Sequence, residues 1–104
     1  MPSENMGERT INHDDQVVEG EVEILNALGL HARPAMQLVE LANSFNSQIR
    51  ISNAALTVDA KSIMSVMRLA ATKGTELNFM ADGSDSAEAI EALTKLVGSG
   101  FGEK

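Results

Sequence analysis

His31 and Arg33, in the stretch GLHARPA from Gly29 to Ala35, are the residues of this chain best placed to do chemistry together. Imidazole has an ordinary pKa of about 6.5, so its neutral form is available as a nucleophile near pH 7. The guanidinium of Arg33 is a planar cation whose fork matches phosphate oxygens. Pro34 follows at once, where a helical pattern begins. Proline suits a first turn because its φ is already helical and the N–H it lacks would have no partner there. The remaining N–H groups of that turn, with the positive end of the helix dipole, attract anions. Three readings of His31 follow: a polar boundary residue bonded to backbone, a metal ligand, or a phosphoryl acceptor. No cysteine or spaced carboxylate set accompanies it as a metal site would require. The phosphoryl reading uses all its neighbours.

The elements that must position this stretch can be read from periodicity. Residues 1–16 are polar, and Glu4, Glu8, Asp14 and Asp15 against Arg9 hold three of the seven net negative charges. Such a segment buries too little to offset its ordering entropy, so it reads as a flexible acidic extension ahead of one domain spanning 17–104. His13 lies within it and reads as a solvated side chain. VVEGEVEIL, with Val18, Val22 and Ile24, reads as a half-buried strand. NALGL turns the chain at Gly29. From Ala32, the spacing of Ala35, Leu38, Val39 and Ala42 predicts a helix, with Glu40 and Asn43 opposite and Phe45 closing its end over the core. QIRIS and LTVDA predict a hairpin through NAA. A second helix is expected from Ile63 to about Thr72, stopped at Gly74. ELNFMA predicts a fourth strand. Asp85 and Glu88 resemble a capping pair for a last helix running from about Ser86 to Val97, ended by Gly98 and Gly100.

This order predicts an α+β fold, a two-layer open-faced sandwich. Three helices cover one face of a four-stranded antiparallel sheet, while Arg50, Thr57 and Asn78 point outward from the other. The length suits a single core. Aromatics are only 3% of residues, so Leu, Ile, Val, Ala and Met must fill that core beside three Phe. Cysteine is absent, which excludes disulfides and thiolate metal sites. A net charge of -7 disfavours nucleic acid, and no apolar run approaches the roughly 20 residues that span a bilayer. With no apolar leader either, the chain reads as cytoplasmic.

The second helix is apolar over too wide an arc for one buried stripe. Val66, Leu69 and Ala70 supply the stripe, which leaves Ile63, Met64 and Met67 on another ridge, either as gap-filling core or as a partner patch. Ser62, just ahead, reads as the helix N-cap.

GLHARPA, with AKSIMSVM (Ala60 to Met67) and TKG (Thr72 to Gly74), resembles the HPr phosphocarrier family of the phosphotransferase system. The likeness covers about Val17 to Phe101, and the order of elements agrees. It implies that His31 accepts a phosphoryl group on Nδ1 from phospho-enzyme I, charged by phosphoenolpyruvate, and passes it to an enzyme IIA domain. It also implies that Arg33 is the neighbouring cation and that Met36, Ile63, Met64 and Met67 form the docking patch. In some members the serine matching Ser62 is phosphorylated by a regulatory kinase, which makes a serine kinase/phosphorylase a candidate partner. The protein would then be a substrate of phosphotransferases, not an enzyme, acting as a monomer without cofactor or metal. MQLVEL and SGF look like the nitrogen-related branch (NPr), whereas KSIM looks like the sugar-transport branch. Glu40 stands where many sugar-branch carriers have a base, and the balance leans toward a nitrogen-type or regulatory carrier. The alternative is a non-transferring regulator that only binds partner proteins; retention of the histidine speaks against it. An RNA-binding module fails on charge and on the lack of stacking aromatics.

Overall fold

The computed structural model describes residues 17–103; the extension expected over 1–16, with its His13, lies outside them. The elements are β1 (Val17–Glu23), α1 (Ala32–Asn43), β2 (Gln48–Ser52), β3 (Thr57–Asp59), α2 (Ile63–Met67), β4 (Glu76–Asp82) and α3 (Ser86–Gly98), followed by a 3₁₀ turn at Gly100–Gly102. The sheet is wholly antiparallel in the order β1-β4-β2-β3. β4 is therefore central: Phe79 pairs with Gly20 on one side and Ile51 on the other. Alternation fixes which face is covered, since successive side chains of a strand point opposite ways. Ile49, Ile51, Val58, Leu77, Phe79 and Ala81 are buried under the helices with Leu38, Val66, Leu93 and Val97. Arg50 and Thr57 are exposed on the other face and Asn78 is half-exposed there. This is the expected open-faced α+β sandwich. Among the described residues, no helix is long and apolar enough to cross a membrane.

Three local expectations need correction. α2 ends at Met67 rather than near Thr72. The amides of Arg68, Leu69 and Ala70 bond back only three residues, to Ser65, Val66 and Met67, so the helix tightens and unwinds. Ala70 then takes a left-handed φ of 47° and is exposed, so Ala71 replaces it in the core. Consequently Gly74 is no helix stop; it sits in the turn before β4 and donates its N–H to the Ile24 carbonyl at 2.8 Å. Second, Asp85 occupies the N-cap position of α3 without capping it. Its carboxylate instead accepts the amides of Asn46 (2.8 Å) and Ser47 (2.9 Å) and the Ser47 hydroxyl (2.5 Å). Three donors from the α1–β2 loop outcompete one helix amide, and these bonds hold the Asp85 carboxyl below the usual carboxylate range. Third, several boundaries shift by a residue or more: β1 stops at Glu23, β3 is only Thr57–Asp59, and α3 continues to Gly98.

Candidate functional site

His31 is delivered to its place by a turn that the sequence encodes locally. The Gly29 amide bonds the Asn26 carbonyl at 3.1 Å, and the Asn26 side-chain amide bonds the Gly29 carbonyl at 2.8 Å. Gly29 has φ +68°, and a Cβ there would lie 2.6 Å from the Ala71 carbonyl oxygen, so both conformation and space require glycine. Leu30 is then buried and donates to that same carbonyl at 2.9 Å. The next residue, His31, is the N-cap of α1, with extended backbone (φ -79°, ψ -174°) and no side-chain cap bond. The imidazole is therefore not used to cap. Pro34 is buried in the first turn, and the Ala35 amide is engaged by the His31 carbonyl at 2.9 Å. Ala32 and Arg33 supply the remaining first-turn amides.

The ring finds its partner at the far end of the chain. His31 Nε2 lies 3.0 and 3.1 Å from the two carboxylate oxygens of Glu103. Arg33 Nε stands 3.9 Å from the same group, and the Asn26 side chain donates to it at 3.1 Å. The hydrogen bond from His31 lowers the Glu103 carboxyl below its usual range, and the Asn26 hydrogen bond and the nearby Arg33 guanidinium add to this against partial desolvation. Nε2 faces Glu103, and Nδ1 is the other ring nitrogen, in a side chain 35% exposed. A neutral ring that donates from Nε2 keeps the Nδ1 lone pair, which is the nucleophilic tautomer. Glu103 and Asn26 were not found from the sequence. The available signal was Gly-Phe-Gly at residues 100–102: an aromatic flanked by glycines near the end of a domain anchors the chain and turns it back.

The other predicted residues fall on two neighbouring elements. Met36 on α1 and Ile63, Met64 and Met67 on α2 are all exposed, Met64 at 79%. α2 packs beside α1: the Lys61 carbonyl accepts from Asn43 at one end, and Ala71 meets Leu30 at the other. The ridge thus leads from the end of α1 toward the His31 loop. Leu28, 74% exposed and three residues before His31, is a further exposed apolar side chain, missed by the reading of NALGL as a plain turn. Ser62 is the N-cap of α2, its hydroxyl accepting the Ser65 amide at 3.3 Å. A cleft of about 310 Å³ lined by Asn46, Arg50, Asp59 and Lys61 shares no residue with this site. His31 itself is part-exposed at the surface, at the start of α1.

Known proteins share this fold. The family described as "PTS HPr component phosphorylation site" matches residues 18–99. Phosphocarrier protein HPr of Cupriavidus necator is 45% identical over 87 residues, covering 84% of this chain and 98% of that protein. The crystal structure of HPr-C-His from Thermoanaerobacter tengcongensis superposes with a TM-score of 0.80 at 45% identity, covering 84% of this chain and 98% of that one. An HPr dimer from the same organism superposes at 0.67 and 46% identity, covering 79% and 94%. The chain belongs to the HPr family of phosphotransferase-system phosphocarriers, proteins that are intermediates of phosphoryl transfer rather than catalysts.

Proposed function

We propose that His31 Nδ1 carries the phosphoryl group, received from phospho-enzyme I and delivered to an enzyme IIA domain. The observation that supports this most is the engagement of Nε2 by Glu103, which leaves one nucleophilic nitrogen at the start of α1. In the forward step the Nδ1 lone pair forms the N–P bond while the bond from phosphorus to the donor breaks, its electron pair staying on the donor. The ring becomes cationic, and the Nε2–H bond to Glu103 becomes charge-assisted and stronger. The phosphoryl oxygens take up the first-turn amides of Ala32 and Arg33, the helix dipole and the Arg33 guanidinium. Delivery to the acceptor reverses these changes.

Docking uses the apolar ridge of Met36, Ile63, Met64 and Met67, whose flexible methionines adapt to donor and acceptor in turn. A phosphate on Ser62, at the border of that ridge, would have to be desolvated on docking and would oppose it. We read the protein as a cytoplasmic monomer of the nitrogen-type or regulatory branch, with residues 1–16 a flexible extension dispensable for transfer. The test is incubation with phosphoenolpyruvate and an enzyme I, followed by intact mass. Wild type and His13→Ala gain one acid-labile phosphoryl group and His31→Ala gains none. Labelling that persists in His31→Ala contradicts the assignment.

A further inference from the structure

Asn26 is 1% exposed, yet no part of the transfer step touches it. Its side-chain nitrogen joins the turn before His31, through the Gly29 carbonyl, to the Glu103 carboxylate 77 residues away. Its side-chain oxygen is buried without a partner among the described residues. A buried orphan acceptor opposes folding. The amide thus sits where it serves its two donated bonds at the expense of its own oxygen.

The other side of the junction is also held against a local preference. Gly100, Phe101 and Gly102 have φ of 73°, 57° and 74°, three left-handed residues in succession. Glycine adopts this freely, but for a bulky residue such as Phe101 it is strained. The strain persists because the surroundings over-determine it: the Phe101 side chain is 3% exposed in the core, and the Glu103 amide closes the turn on the Gly100 carbonyl at 2.8 Å. The consequence is a reversal of the chain that sets Glu103 on the His31 ring.

We propose that Asn26 and the Gly100–Glu103 turn form a positioning clasp that fixes the His31 imidazole with Nε2–H on Glu103 and Nδ1 free for phosphorus. The proposal rests on the reading of His31 as phosphoryl acceptor. An unclasped imidazole samples many directions by rotation about its side-chain bonds, whereas a ring held through one nitrogen presents the other in one direction. The same contact strengthens as the ring gains positive charge, so it favours the phosphorylated state over the free one. Neither Asn26 nor Glu103 touches the phosphoryl group; both act through the ring.

Single-turnover transfer from phospho-enzyme I to the full chain, read beside the imidazole N–H signals in proton–nitrogen NMR, tests the clasp. Glu103→Ala is expected to slow transfer about tenfold at saturating donor, with its donor-concentration dependence unchanged, and to lose the protected Nε2 proton. Glu103→Gln keeps an acceptor oxygen and should recover part of both. Asn26→Ala should slow transfer in the wild type but add nothing in the Glu103→Ala background, although it lowers the melting temperature in both. If Asn26→Ala fails to fold, the two Glu103 variants carry the test alone. A Glu103→Ala protein that is phosphorylated on His31 at the wild-type rate overturns the clasp and leaves the acceptor intact. Independent, additive losses for Asn26 and Glu103 overturn the coupling between them. Labelling that persists in His31→Ala overturns the acceptor reading instead, so the two failures are separable.

Discussion

Arg33 faces a choice between two anions. At 3.9 Å its contact with Glu103 is long and made by a guanidinium that is itself exposed, so it is of small worth and easily exchanged for phosphoryl oxygens when they arrive. Arg33→Ala should therefore fold normally and accept phosphate about tenfold more slowly, the equivalent of ~1.4 kcal/mol in the barrier. An unchanged single-turnover rate would count against its role. Ser62 divides its effects differently. Ser62→Ala removes a cap whose bond is long, 3.3 Å, so about 0.5–1 kcal/mol of stability should be lost with transfer retained. Ser62→Asp gains little from the dipole of a five-residue helix, yet places charge beside Ile63 and Met64; it should melt near the wild type and accept phosphate much more slowly. Equal acceptance rates for Ser62→Asp and wild type would reduce Ser62 to a cap. His31, Arg33 and the Ser62 cap were legible because each belongs to a local pattern of a few residues. Glu103 and Asn26 were not, because Gly-Phe-Gly signals a turn but not the partner, 77 residues away, that the turned chain meets.

At the scale of elements, the amphipathic patterns of α1, α3 and the strands were readable because one face of each is buried and the other is not. α2 was misread for a definite reason. MRLAAT has good helical propensity, but Asn53 takes the Leu69 carbonyl at 3.1 Å and Leu30 takes that of Ala71, so tertiary bonds end the helix. The cost is stored at Ala70, whose Cβ crowds the backbone at φ 47°. Ala70→Gly should relieve this and raise stability by about 1 kcal/mol in chemical denaturation. A loss of stability would mean that chain entropy outweighs the strain. Asp85 makes a pH-dependent prediction. Its folded pKa is depressed, so its contribution is complete above the ordinary carboxylate range and fades as pH falls through the folded value. Asp85→Ala should melt below the wild type at pH 7, and the gap should close as the pH is lowered into the acid range. A gap independent of pH would show that the Ser47 and Asn46 contacts owe little to the charge.

The whole molecule separates a buried core from an exposed apolar ridge on α1 and α2. β4, with Phe79 at its centre, and the helices over it close a core within residues 17–103, and His31 and Arg33 stand outside that core at the start of α1. Deleting residues 1–16 should accordingly leave the melting temperature and transfer rate nearly unchanged; a large fall in either would place that segment in the working domain. Met64→Glu should leave stability unaltered, since the side chain is mostly exposed, while weakening docking about tenfold in the donor-concentration dependence. The central claim is that the phosphoryl group resides on Nδ1 of His31 because Glu103 holds Nε2. The most direct measurement is proton–nitrogen and phosphorus NMR of the nitrogen-labelled, phosphorylated protein, which assigns the phosphorus-coupled nitrogen. Coupling at Nδ1 of His31, with a proton retained on Nε2, is the predicted result; coupling at Nε2, or at any other residue, would contradict it.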